Sequence, residues 1–230
     1  MPVFELHPSR IEFPDPKHTD DSGILAVGGD LQAERLLLAY EMGLFPWFNE
    51  NEPPLWWCPD PRMVLYPNEL RISKSMRSVL RKNLFRVTAD QNFEEVIRNC
   101  GAVPRPGQDG TWITEDIVNG YLELHRMGFA HSIEVWSNNT LTGGLYGVSL
   151  GKIFFGESMF SVAPNASKLG FIKLVEALKV NDFRLVDCQV HTAHLESLGA
   201  EEISRASFLP QLREALTSET IRGSWSFLFT

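Results

Sequence analysis

The sequence predicts an α+β fold, with a small N-terminal domain over residues 1–62 and a mixed sheet with packed helices over residues 63–230. Three observations predict it. The first 60 or so residues are dense in proline and tryptophan ("FPDP", "LFPWF", "PPLWWCPDPR") around one helical stretch. Near residue 130 the period of the apolar residues changes from helical to alternating. From there the order reads strand, strand, strand, helix, strand, helix, strand. A chain of 230 residues that is 43% hydrophobic is long enough to bury a sizeable core.

Each element carries its own signal. In "GGDLQAERLLLAYEMG", Asp30 is placed to cap a helix, Leu31, Leu37 and Leu38 to supply its apolar side, and Gly43 to end it. "RISKSMRSVLRKNLFR", Arg71 to Arg86, holds six cations and no acid, and Lys74, Arg77 and Arg81 recur at helical spacing on one face. "AVPRPGQDG", Ala102 to Gly110, is a loop on its Pro and Gly content. "TEDIVNGYLELHRMG" is a helix with Thr114 as cap, acids in its first turn and Gly128 as its stop. "HSIEVWS" alternates as a strand, and "LTGGLYGVSLG" and "KIFFGES" read as two more, joined by tight turns. "NASKLGFIKLVEALKVN" is an amphipathic helix. A strand at "FRLVDCQV", a short helix at "HTAHLESLG", a strand at "EEISR" and a last helix from Ser207 complete the chain. The order resembles the acyltransferase fold best known from the acetyl-CoA-dependent N-acetyltransferases.

Composition narrows the setting. No apolar run approaches membrane-spanning length, and "MPVFELHPSR" lacks the layout of a signal peptide. Three cysteines with no Cys-x-x-Cys pair argue against a disulfide framework and for a reducing, cytoplasmic setting. The net charge of −8 speaks against a nucleic-acid partner until its distribution is read. Residues 1–60 hold 3 Lys/Arg and 11 Asp/Glu, whereas the remaining 170 balance at 18 and 18. The basic run can then serve as a phosphate-tracking surface, although a solvated helix face is the commoner reading of an isolated one.

Four constellations are candidates for chemistry. On the strand "DCQ", alternation sends Asp187 and Gln189 to one face and Cys188 to the other, which leaves Cys188 as a core filler. A carboxylate beside a primary amide can fix which way the amide points, and an oriented amide can meet an amine or an oxyanion. A polar pair satisfying itself at a sheet end is the equal alternative. His191 and His194 stand one helical turn apart, but no third ligand is evident, so no metal is expected. The aromatics Tyr40, Phe45, Trp47, Phe48, Trp56, Trp57 and Trp112 are core plugs or platforms for stacked bases, the latter worth roughly 1–3 kcal/mol per base. Five of the six tryptophans precede residue 137. A CoA enzyme of this fold needs a Gly-rich turn to hold the pyrophosphate, and no glycine lies between Glu157 and Lys168.

The strings "LAVGGDL", "LLLAYEMGLFPWF", "LWWCPDPR", "GTWIT", "AHSIEVW", "GGLYGV", "FGESMFS", "NASK" and "DCQV", in this order from about Phe13 to Ile203, resemble the leucyl/phenylalanyl-tRNA protein transferase family. The resemblance implies transfer of Leu, Phe or, less well, Met from aminoacyl-tRNA to the α-amino group of proteins that begin with Arg or Lys, marking them for N-end-rule degradation. It implies a small N-terminal domain on an acyltransferase-like one, a monomer, and no CoA, metal or other cofactor. It places Asp187 and Gln189 as the pair that assists the amine and Glu157 as an acid in the cleft. Trp47 and Trp112, with Tyr40 nearby, would hold the 3′-terminal adenosine. Leu145, where the family leads us to expect Met, and Phe154 would line the pocket for the transferred side chain. Lys74, Arg77, Arg81 and Lys82 would follow the acceptor-stem backbone. The competing readings are a CoA-dependent N-acetyltransferase, a cysteine-nucleophile amidase using Cys188, and a non-catalytic RNA-binding module.

Overall fold

The computed structural model describes residues 3–103 and 111–229. Strands β1 (Phe4–Leu6), β2 (Ile24–Gly28), β3 (Phe45–Pro46) and β4 (Leu55–Trp57) form a small sheet in the order β1-β2-β4-β3. Helix α1 (Ala33–Glu41) connects β2 to β3. The sequence reading had found only the helix here, and Asp30 does not cap it. Gln32 stands at the N-cap, and the Asp30 carboxylate accepts from the Gln32 N–H and from buried Arg35 instead. The buried face of α1 is Ala33, Arg35, Leu36, Ala39 and Tyr40, with Leu37 and Leu38 half-buried beside it.

The remaining chain runs β5 (Arg62–Leu65), α2 (Lys74–Lys82), β6 (Arg86–Ala89), α3 (Phe93–Ala102), α4 (Glu115–Arg126) and β7 (Ala130–Ser137). It continues with β8 (Thr140–Leu150), β9 (Ile153–Ser161), α5 (Ala166–Val180), β10 (Leu185–Gln189), α6 (Ala193–Glu196), β11 (Glu201–Ile203) and α7 (Arg205–Leu216). Seven strands pair in the order β11-β5-β10-β9-β8-β7-β6. Only β9 and β10 run parallel, which makes the sheet mixed, as expected. Strands β7 to β11 lie where the alternation put them. Strands β5 and β6 are additions, and α7 begins at Arg205 because Ser204, not a residue near Ser207, caps it. Of the expected loop, Ala102 closes α3, and residues 104–110 lie outside the described residues.

The small sheet ends at Trp57 and the large one begins at Arg62, yet the apolar core does not divide there. Leu25 and Trp56 of the small sheet share one buried cluster with Tyr146, Phe155 and Phe208. No helix among the described residues is long and apolar enough to cross a membrane.

Two irregularities in neighbouring strands shape a cavity between them. Between β8 and β9, Tyr146 pairs with Ser158 and Gly147 with Gly156, so Glu157 is the extra residue of a bulge. Between β10 and β5, Asp187 pairs with Val64 and Gln189 with Met63, so Cys188 is extra. The β9–β10 pairing runs from Leu185↔Ile153 to Asp187↔Phe155, and both strands bulge just beyond it. Bulges re-aim side chains and end pairing. Here they open the sheet. The first bulge also needs glycine opposite it, because a Cβ on Gly147 would stand 2.1 Å from the Phe155 carbonyl oxygen and 2.6 Å from the Phe154 ring.

Gly147→Ala is therefore expected to lower stability by roughly 3 kcal/mol, the upper end of the usual overpacking cost, since a backbone oxygen yields less readily than a side chain. Urea denaturation of the variant checks this, and an unchanged midpoint would mean that β8 and β9 are not fixed as described.

Candidate active site

A cavity of about 680 Å³ opens where β9 and β10 part. Its walls bring together six of the residues to which the family resemblance gives a role: Trp47, Trp112, Leu145, Phe154, Glu157 and Gln189. The small sheet contributes Phe45 to Trp47, and α6 and the preceding loop contribute Thr192, His194 and Leu195. The lining is mostly apolar, with Glu157 as its one carboxylate among the described residues.

Gln189 is the pivot of the polar end. Its φ of 64° puts it in the left-handed region, a conformation that costs a non-glycine residue on the order of 1–3 kcal/mol. Asp187 holds it there. One oxygen, Asp187 Oδ1, accepts the Gln189 N–H at 2.9 Å and Arg62 Nε at 2.8 Å, while Oδ2 accepts Arg62 Nη2 at 2.6 Å. Both partners of this two-pronged ion pair are buried. The expectation that Asp187 orients the Gln189 side-chain amide is thus corrected: Asp187 is fully buried behind the cavity wall and grips the backbone.

The amide is oriented by Glu157. Gln189 Nε2 donates to Glu157 Oε1 at 2.7 Å, and the Tyr121 hydroxyl donates to Glu157 Oε2 at 2.9 Å. Tyr40 in turn hydrogen-bonds the Tyr121 hydroxyl. Burial pushes the Glu157 carboxyl up to about 7, with the Tyr40 and Tyr121 hydroxyls and the Gln189 amide pulling it down and Asp187 pushing it further up. Burial and the Glu157 charge hold both phenols well above their usual range, so they stay neutral donors. Tyr40 was expected beside the adenosine platform, but its ring is fully buried, lies outside the cavity wall and packs on Phe155 at 4.9 Å. No base can stack on it.

The aromatic platforms differ in access. Trp47 is 41% exposed at the mouth, braced by Trp57 at 5.5 Å, whereas Trp112 is buried to 8% in the wall. Leu145 and Phe154 are nearly fully buried at the apolar end.

Cys188 required a second correction. The bulge breaks strict alternation, so Cys188 and Gln189 both reach the cavity. The thiol is nonetheless no nucleophile at neutral pH, because burial and the nearby Asp187 charge drive its pKa far up, and its hydrogen bond goes to the Val186 carbonyl. His194 lines the same cavity, held below its usual pKa by burial and Lys168. His191 precedes α6 and bonds Glu196, so the two histidines do not share a helix. No group of three or more His, Cys, Asp or Glu fit to hold a metal occurs among the described residues.

Lys74, Arg77, Arg81 and Lys82 are exposed on α2 and outside the cavity. The helix is anchored by buried Met76 and by its Ser73 cap, and Arg71 N–H bonds the Leu198 carbonyl just past α6. Sequence reasoning missed Arg62 and Tyr121. The only signal for Arg62 was a cation closing the "LWWCPDPR" string, and none pointed to Tyr121.

Two family models match the chain: "Leucyl/phenylalanyl-tRNA protein transferase" over residues 64–213 and its N-terminal domain over residues 29–60. Among curated relatives, a leucyl/phenylalanyl-tRNA–protein transferase of Anaeromyxobacter sp. (strain Fw109-5) is 54% identical over 98% of this chain and 95% of its own. Those of Flavobacterium johnsoniae and Myxococcus xanthus (strain DK1622) are 56% and 50% identical, over 87% and 98% of this chain and 95% and 97% of theirs. Among solved structures, a GCN5-related N-acetyltransferase from Kribbella flavida overlaps 73% of this chain and 60% of its own, at a TM-score of 0.38 and 10% identity.

Removing one partner of a buried ion pair strands the other, at roughly 3–5 kcal/mol. Arg62→Met should cost about that much in denaturant unfolding. The double variant with Asp187→Leu should recover much of the loss, because no charge is left unpaired. A double variant no more stable than the single one would mean that Arg62 and Asp187 do not act as a pair.

Proposed function

The chain belongs to the leucyl/phenylalanyl-tRNA protein transferase family, and on that premise we propose that it moves Leu or Phe, and less well Met, from aminoacyl-tRNA to the α-amino group of proteins beginning with Arg or Lys. The product would enter N-end-rule degradation, in the cytoplasm, with the enzyme acting as a monomer of two domains, residues 1–62 and 63–230. The observation that carries the reading is the cavity itself, apolar at one end and closed at the other by the Glu157–Gln189 hydrogen bond.

The donor side chain occupies the apolar end at Leu145 and Phe154. Leu, Phe and Met are unbranched at Cβ, so they enter a narrow slot that refuses Val and Ile, a discrimination worth a few kcal/mol at most. The terminal adenosine lies against Trp47 and Trp112, and the acceptor stem follows Lys74, Arg77, Arg81 and Lys82, where phosphate contacts position rather than specify.

The chemistry is acyl transfer from an ester to an amine. The amine nitrogen attacks the ester carbonyl carbon, the C–N bond forms, and the ester C–O bond breaks to leave the ribose hydroxyl, which takes up a proton as the amine gives one up. Because Gln189 Nε2 is committed to Glu157, the amide oxygen is the group left to accept an N–H of the amine and aim its lone pair. Glutamine is a very weak base, but the step asks little of one. An N-terminal amine has a pKa of about 7.7–8.0, and the ester arrives activated. Positioning is the main contribution. In this scheme Gln189 touches substrate, Glu157 holds its amide, and Asp187 is a positioning residue acting through the backbone. No step calls for CoA or a metal.

The test uses tRNA charged with labelled Phe and two peptides that differ only in an N-terminal Arg or Asp. Label should pass to the Arg peptide alone, and Gln189→Ala should cut transfer by roughly 100–1000-fold, a share ordinary for one oriented group. Transfer to neither peptide would favour an acetyltransferase or an RNA-binding module. Full turnover in folded Gln189→Ala would remove that residue from the mechanism.

The pH dependence has a defined sign. Glu157 accepts from two donors, so the working form is the carboxylate, and burial has raised its pKa to about 7. Transfer should therefore rise from pH 6 to 8 as both Glu157 and the amine lose protons. Tyr121→Phe deletes a hydrogen bond that favours the charged form, so Glu157 should titrate higher and the acid limb should move to higher pH. Superimposable profiles for the variant and the parent protein would show that Glu157 ionisation does not govern the step.

A further inference from the structure

Trp225 is the one tryptophan outside the aromatic-rich first 137 residues, and it lies beyond the stretch matched by either family model. After α7 the chain turns back as a strap across the large sheet. Thr220 Oγ1 accepts the Gly151 N–H at 2.7 Å, and Arg222 donates to the Met127 carbonyl at 2.9 Å with its guanidinium over the Phe129 ring. The strap ends in a plug. Trp225 is fully buried, its N–H bonds Asp90 Oδ2 at 2.7 Å, and its indole N–H bonds the Ile221 carbonyl at 3.0 Å.

The indole stacks flat on His131, with centroids 3.8 Å apart and planes 10° apart, and meets Phe183 edge-on at 5.8 Å. Its remaining aromatic neighbour is Phe154, also at 5.8 Å. Phe154 lines the cavity, and on another side it presses on Gly147 so closely that even a Cβ there would come within 2.6 Å of its ring. The wall of the cavity at Phe154 thus touches both the bare backbone of Gly147 and the indole.

We propose that Trp225 is a specificity-determining residue that backs Phe154 and so sets the depth of the pocket for the donor side chain. The inference rests on the reading that this apolar end receives the donor. Shrinking the indole would leave a void behind Phe154. The ring would move into it, and flat side chains larger than Phe would gain relative to Leu.

The experiment compares the full-length protein with its Trp225→Phe variant, using an Arg-initial peptide and tRNA charged with Leu, Phe, Tyr or Trp. Circular dichroism and thermal melting establish that the variant is folded. The ratio of kcat/KM for Tyr or Trp over that for Leu should rise about tenfold, the lower end of what one misfitted group is worth in an apolar pocket. In a Phe154→Leu background the same substitution should add little, because residues acting through one another are not additive. Phe183→Leu, which loosens the far side of the indole without touching the cavity, is the milder second variant and should move the ratio the same way by a smaller factor. A folded Trp225→Phe or Phe183→Leu with unchanged donor ratios overturns the proposal, as does an equal shift when Phe154 is already Leu. Failure of the parent protein to transfer even Leu or Phe would overturn the functional reading and this proposal with it.

Discussion

The Arg62–Asp187 pair is the constraint on which the rest of the cavity depends. It joins β5 to β10 across 125 residues of chain and lies beneath the polar end of the cavity. The Arg62 guanidinium sits between two rings, Phe45 of the small sheet at 4.8 Å and Phe208 of α7 at 4.7 Å. A single cation therefore ties together the small sheet, the last helix and the strand that carries Gln189. Buried ion pairs give little net stability, and Arg62 Nη1 has no hydrogen-bond partner among the described residues. What the pair supplies is position. Asp187 Oδ1 shares itself between the guanidinium and the Gln189 N–H, and a charge-assisted hydrogen bond of about 1.5–3 kcal/mol is the right size to hold a left-handed residue that costs about as much.

With Gln189 turned in this way, the hydrogen bonds at the polar end run in one direction. Tyr121 and Gln189 both donate to Glu157, and neither phenol gives up its proton near neutral pH. A carboxylate with both oxygens engaged fixes the amide nitrogen and thereby the amide oxygen. The arrangement needs no strong base and no thiolate. Glu157 itself titrates near neutrality, placed there by burial against hydrogen bonding.

Much of this was legible in the sequence, and what was not shares a cause. The alternation of "HSIEVWS" and the caps at Thr114 and Gly128 are local signals, and β7 and α4 follow them. Strand β5 is four buried residues behind a proline cluster, too short for any period to register, and the strands of the small sheet are two to five residues long. Six residues that the family resemblance singles out for the site line one cavity, but the contacts among them were not legible. Asp187 was matched with its sequence neighbour Gln189, whereas its side-chain partner Arg62 is remote in the chain. Cys188 was assigned to the wrong face because period-two reasoning assumes a regular strand, and a bulge falls on that residue. Tyr40 was grouped with the accessible aromatics on composition, which carries no information about depth.

The uneven charge of the chain acquires a meaning in the proposed reaction. Two substrates of opposite sign must meet in one cavity, a polyanionic RNA and a cationic protein N-terminus. The basic face of α2 lies outside the cavity, while the wall at Phe45 to Trp47 belongs to the segment whose net charge is −8. Exposed Glu50 and Glu52 follow directly on that wall. In the proposed reaction, separated charges of opposite sign would steer the two partners to different parts of the surface. Net charge alone, read as a single number, argues against RNA; its distribution along the chain does not.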